Sequence, residues 1–227
     1  MKRYFLAIAL ALLVPAAQGL AADLPVKAPV KHAAAVNWTG WYVGISGGAD
    51  WGRFSQTNTV TGVSNGFFNQ TGGLVGGTAG YNWQMSNWVL GLETDLSWTK
   101  LTGTQMCGPA SAFVCTTEMR AFGTLRGRVG VALLDNVLIY GTGGLAYGRI
   151  SATRNVNATE SADWRAGWTV GGGAEVMLAP QWSAKVEYLY ATFPGTATTY
   201  IVTTSNTPVA ATERNVSIVR AGVNFHF

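Results

Sequence analysis

Eight stretches of this chain alternate, residue by residue, between an uncharged set and a mixed polar set, and that segregation limits the available folds more than any other feature. The stretches lie at about 41–53, 74–84, 88–98, 117–129, 137–148, 168–178, 182–191 and 215–227. A period of two is that of a β-strand, whose successive side chains point to opposite faces. One face collects Trp41, Val43, Ile45 and Trp51 in the first stretch, and Trp88, Leu90, Leu92, Leu96 and Trp98 in the third. It continues with Trp182, Val186, Tyr188 and Tyr190 in the seventh, and Val219, Val223, Phe225 and Phe227 in the last, with no charge among them. The other face carries Glu93, Asp95, Arg126, Arg128, Glu175, Lys185, Glu187 and Arg220, four acids and four bases spaced by small residues.

Period two does not say which face is outermost, because a soluble barrel of the lipocalin kind buries its apolar set and wets its polar one. Composition decides. Charged residues make up 11% of the chain, against about 25% in soluble domains, too few for a water-facing exterior. Many of the aromatics fall at strand ends, where such rings mark membrane interfaces. An Arg or Lys facing hydrocarbon at mid-depth costs about 2–4 kcal/mol, so the charged face must point inward. No later segment is an uninterrupted apolar run long enough for a spanning helix, which leaves a closed barrel as the way to cross a bilayer.

The connections support the same reading. Met85-Ser86-Asn87, Leu134-Asp135-Asn136 and Ala179-Pro180-Gln181 are tight turns, whereas 54–73, 99–116, 149–167 and 193–214 are long and polar. Outer-membrane barrels have short periplasmic turns, long external loops and an even strand number. The expected fold is therefore all-β: an eight-stranded antiparallel up-and-down transmembrane barrel with short periplasmic turns, four long extracellular loops and both termini in the periplasm.

Lys2 and Arg3 precede an uncharged stretch that closes on small residues near Ala21 and Ala22, the pattern of a secretory signal peptide. Residues 1–22 are expected to be that peptide, 23–40 a periplasmic linker rich in Pro, Lys and Ala, and 41–227 the barrel. Removing Lys2 and Arg3 lowers the formal net charge from +4 to +2, and the remaining bases form no stripe, so nucleic acid is not an expected partner.

Four motifs carry a family resemblance: Asn37-Trp38-Thr39-Gly40-Trp41-Tyr42-Val43-Gly44, Gly80-Tyr81-Asn82-Trp83-Gln84, Leu125-Arg126-Gly127-Arg128-Val129-Gly130, and Tyr140-Gly141-Thr142-Gly143-Gly144-Leu145-Ala146-Tyr147-Gly148. Together with the Ala-Asp-Leu-Pro start at Ala22–Pro25 they resemble the small opacity-like outer-membrane porin family of alphaproteobacteria. The resemblance spans essentially the whole mature chain. It implies an eight-stranded barrel of the outer membrane, linked among family members to envelope integrity, surface exposure and, in some, haem binding. It implies no catalytic residues, and no cofactor is expected.

An eight-stranded barrel is just wide enough for side chains to fill it. The eight inward charges are accordingly expected to pair as a structural network in which Glu93 and Asp95 meet Arg126 and Arg128, with Lys185, Glu187, Glu175 and Arg220 completing it, the alternative being a narrow solute path or proton-linked gate. Cys107 and Cys115 are expected to form a local disulfide in an oxidising compartment, with free thiols as the alternative. Val223, Phe225 and Phe227 form a terminal strand like the one that the barrel assembly machinery recognises. His32 and His226, far apart in sequence, make only a weak metal signal, and His226 is expected in the lumen or at the periplasmic rim rather than as a general base. Lys27, Lys31 and His32 offer the linker a contact with peptidoglycan or anionic lipid, or none. The expected partners are outer-membrane lipid and lipopolysaccharide, the assembly machinery and peptidoglycan. The functional expectation is envelope integrity and surface interaction, the alternatives being a small-solute porin or a loop receptor for haem or another ligand.

Overall fold

The computed structural model describes residues 36–58, 64–106, 114–134, 136–154, 161–194, 198–202 and 207–227. It is all antiparallel β: β1 Gly40–Asn58, β2 Ser64–Met85, β3 Trp88–Met106, β4 Val114–Leu134, β5 Val137–Arg154, β6 Ser161–Ala179, β7 Trp182–Thr192, β8 Thr198–Val202 and β9 Thr207–His226. Each strand pairs with the next from β1 to β7, β7 pairs with β9, and β9 returns to β1, closing eight strands into a barrel. Strand β8 is an appendage that pairs only with the first residues of β9, from Thr207 to Ala211.

The register fixes the barrel's geometry. Starting at Trp41, the chain of paired residues runs through Tyr81, Leu92, Gly127, Gly143, Val170, Tyr190 and Ser217 and returns to β1 at Trp51. That displacement is ten residues, which with eight strands tilts them by about 40° to the axis. Trp41 and Trp51 also mark the two aromatic rims. At the tight-turn end stand Trp41, Trp83, Trp88, Trp182 and Phe227, and at the other end Trp51, Trp98 and Trp168, all on the outside. Ten residues of strand at that tilt put the rims about 25 Å apart, the height of the apolar band of a membrane barrel.

The two-residue connections Ser86-Asn87 and Pro180-Gln181 are tight turns. The long polar stretches are corrected by the structure: the ladder runs on through most of them, and the strands, 11 to 22 residues long in the barrel, outlast their apolar alternation. The reason is physical. Apolar alternation ends where hydrocarbon ends, but backbone hydrogen bonds between Thr-rich strands continue in water. The four long loops expected from the sequence are, in their described part, projecting hairpin arms. Cys107 lies outside the described residues and Cys115 is described only as backbone of β4.

The packing begins before β1. Trp38 is 1% exposed and packs with Val89, Leu138, Tyr140 and Met177 across the turn-end mouth. Its backbone N–H donates to Gln84 Oε1 at 2.8 Å, and the Gln84 N–H donates back to Thr39 Oγ1 at 3.0 Å. Gly40, at φ +145°, makes the bend from this tuck into β1, and a Cβ there would press on the Phe227 carbonyl at 3.1 Å.

Candidate functional site

The lumen is built in layers. At the mouth beside the tight turns lies the apolar cluster around Trp38. Towards the opposite end a second cluster contains Leu74, Leu101, Met119, Phe122, Ile150, Leu189, Val216 and Ile218. Between them sit Glu93, Asp95, Arg126, Arg128, Glu175, Lys185, Glu187 and Arg220, every one buried.

Strand register brings these charges together. Glu93 faces Arg126 across β3–β4, Glu175 faces Lys185 across β6–β7, and Glu187 faces Arg220 across β7–β9. Arg126 is the hub. Its Nη2 pairs with Glu93 Oε1 and, at 3.1 Å, with Asp95 Oδ2; its Nη1 pairs with Glu187 Oε1 at 2.9 Å; and its Nε donates to Thr124 Oγ1 at 2.8 Å. Arg220 reaches Glu187 Oε2 at 2.7 Å and Asp95 Oδ1 at 3.1 Å. Lys185 Nζ holds Glu93 Oε2 at 2.8 Å, and Arg128 Nη2 holds Glu175 Oε2 at 2.7 Å. Buried ions require partners to offset desolvation, and every charge here has at least one of opposite sign, in equal numbers, although Arg128 Nε and Arg220 Nη1 make no hydrogen bond.

The sequence reading missed several members of this layer. Tyr42 donates to Glu93 Oε2 at 2.7 Å and accepts from Arg128 Nη1 at 3.1 Å. The Arg128 guanidinium stacks 4.1 Å from the centre of the Tyr140 ring, a cation–π contact. Ser183 and Asn224 donate to Glu175 Oε1 at 2.5 and 2.7 Å. Asp50, a ninth lumen charge, stands apart from the network and accepts from Thr99 Oγ1 at 2.5 Å. Strand parity was the available signal for them: Tyr42 and Asp50 share the even-numbered face of β1, and Tyr140 lies on that of β5.

His226 packs between Trp38 and Tyr42, its Nε2 2.9 Å from Ser183 Oγ and 3.5 Å from Glu175 Oε1. A nucleophile, base and orienting carboxylate act as a relay only when the hydroxyl and the carboxylate use different ring nitrogens. Here both meet the same one. Among the described residues no group of three or more His, Cys, Asp or Glu is placed to hold a metal ion.

At the chain terminus Val223 and Phe227 lie on the outside, with Phe225 half-buried and edge-on to Phe227 at 5.2 Å between ring centres.

The 31 kDa outer-membrane immunogenic protein of Brucella melitensis is 36% identical over 231 residues, covering 93% of this chain and 95% of that protein. The 22 kDa outer membrane protein of Rhizobium leguminosarum is 29% identical, covering 72% and 67%. Among solved structures, the outer membrane protease OmpT of Escherichia coli superposes with a TM-score of 0.50 at 10% identity, covering 86% of this chain and 99% of that one, a likeness of fold alone. Residues 7–227 match the family described as outer membrane protein beta-barrel domain. The chain is thus a member of that outer-membrane β-barrel family.

Proposed function

We propose that this outer-membrane barrel is a sealed structural element that supports envelope integrity and presents its hairpin arms for surface interaction. The observation that carries the reading is the filled lumen: an eight-charge, pairwise-satisfied layer between two apolar clusters. A solute path needs water and mobile charge along the axis, whereas these charges are tied to one another. Surface presentation is supported by the relatives' designation as outer-membrane immunogenic proteins.

In this reading residues 1–22 are removed as a signal peptide, residues 23–40 lead to the barrel from the periplasm, and both termini stay on that side. The assembly machinery reads the strand ending in Val223, Phe225 and Phe227. Cys107 and Cys115 close a local disulfide, and Lys27, Lys31 and His32 are available to peptidoglycan. The protein is not an enzyme, which the shared ring nitrogen at His226 supports.

Planar-bilayer recording tests the sealed lumen. Purified wild-type monomer is expected to give no stable single-channel steps, and Arg126→Ala to lower heat resistance without opening a channel. Large, stable steps from the wild type would instead favour the small-solute porin.

A further inference from the structure

Among the described side chains, four bases stand exposed on the outside of the barrel, each just beyond the aromatic rim furthest from the tight turns. Arg53 follows Trp51 on β1, Lys100 follows Trp98 on β3, and Arg149 follows Tyr147 on β5; all three are exposed, as is Arg120 on β4. At the tight-turn rim no described outward side chain is basic. The asymmetry separates the two membrane faces by chemistry.

Three of these bases are gathered by a defect in the ladder. Between Met119 and Ala121 the pairing slips on both sides of β4. Even-numbered residues of β4 from Phe122 to Gly130 face the lumen, and continued alternation would send Arg120 there as well. The irregularity turns Met119 inward instead, to 1% exposure, and leaves Arg120 outside. Arg120 then lies opposite Thr99 and Lys100 of β3, while its neighbour Ala121 pairs with Arg149 of β5. Adjacent strands are about 5 Å apart, so three cations share a small area, an arrangement that repels itself. Glu118 approaches Arg120 Nε at 3.1 Å, but no ion pair joins Lys100 or Arg149 to an acid among the described residues. Bulges re-aim side chains at functional positions, and this one assembles a cationic cradle at headgroup depth. Trp98, Leu96, Leu125 and Leu145 lie on the outside below it, a track for acyl chains.

We propose that Lys100, Arg120 and Arg149 bind phosphoryl groups of the outer-leaflet glycolipid. The inference rests on the arm-bearing end facing the cell exterior and is independent of whether the lumen is sealed. Guanidinium and ammonium groups meet phosphate through charge-assisted hydrogen bonds, and basic side chains at a membrane rim reach headgroups while their stems stay in apolar surroundings.

The full mature chain in neutral detergent is titrated with bisphosphorylated lipid A, dephosphorylated lipid A and phosphatidylglycerol, and the heat-unfolding midpoint is followed by gel mobility. Bisphosphorylated lipid A is expected to raise the midpoint saturably, with little effect from the other two. The triple variant Lys100→Gln, Arg120→Gln, Arg149→Gln is expected to need about tenfold more lipid A. Equal response to dephosphorylated lipid A, or an unchanged titration in a folded triple variant, overturns the phosphoryl site. Preference for phosphatidylglycerol overturns it differently, by showing that the cradle selects a phospholipid headgroup over the outer-leaflet glycolipid. The wild-type arms decide the matter even if the variant fails to fold.

Discussion

Replacing Arg126 with methionine removes the guanidinium that three carboxylates share while keeping most of the side chain's volume. Glu93 then retains Lys185, and Glu187 and Asp95 retain Arg220, but the layer is left with four acids and three bases in a space without bulk water. Breaking a buried ion pair by deleting one partner costs about 3–5 kcal/mol, or roughly two to four decades in the unfolding equilibrium. Removing Glu187 as well, in Arg126→Met with Glu187→Gln, restores charge balance. The double variant is therefore expected to be more stable than the sum of the two single losses by about 1–3 kcal/mol, the coupling typical of residues in one network. Urea titration of barrels folded into lipid vesicles, followed by tryptophan fluorescence and by the mobility of unheated protein, measures all four corners of the cycle. Strict additivity, or a single-variant loss below about 1 kcal/mol, would refute the reasoning that these charges act as one structural unit.

Val186→Arg, at a position 58% exposed on the outside of β7, is expected to lose about 2–4 kcal/mol in vesicles; an unchanged urea midpoint would mean that water bathes that surface. Gly48→Ala places a methyl 2.7 Å from Arg220 Cα and against the Val219 carbonyl, whereas at Gly47 the nearest atom is 3.5 Å away. The first is expected to cost about 1–3 kcal/mol through overpacking and the second much less, and the order of the two heat-unfolding midpoints checks it. Trp38→Ala removes the buried ring over the turn-end mouth and is expected to cost about 3–5 kcal/mol; a stability equal to wild type would show that this segment is no part of the barrel's packing.

The membrane-spanning part of the fold was legible because lipid imposes a strong rule on alternate residues: Trp88, Leu90, Leu92, Leu96 and Trp98 lie outside while Glu93 and Asp95 lie inside. The family resemblance gave the same architecture from its motifs. Strand length was not legible from 99 to 106 or from 64 to 73, because no lipid acts there to sort side chains even though the ladder persists. The eight charges could be assigned to a face by parity and Arg126 expected against Glu93 and Asp95, but longer-range pairs such as Arg126 with Glu187 and Arg220 with Asp95 depend on a barrel tilt that the sequence does not print. Arg120 was invisible as an outward base because strand parity sends it inward, and the irregularity that reverses it is a property of two neighbouring strands. Trp38 was assigned to the linker because a single residue before β1 has no period. Its ring is buried by Val89, Leu138, Tyr140 and Met177, and its backbone is held by Gln84, forty-six positions away.

Oxygen and nickel-chelate accessibility of spin labels placed singly at Leu90, Leu92 and Leu96, in barrels folded into lipid vesicles, reads the environment of the uncharged face. Strong collisional relaxation by oxygen with little by the nickel chelate, deepest for the label nearest mid-membrane, is the expected result. Ready access for the water-soluble nickel chelate at all three would contradict a lipid-facing exterior and, with it, the inward placement of the charges.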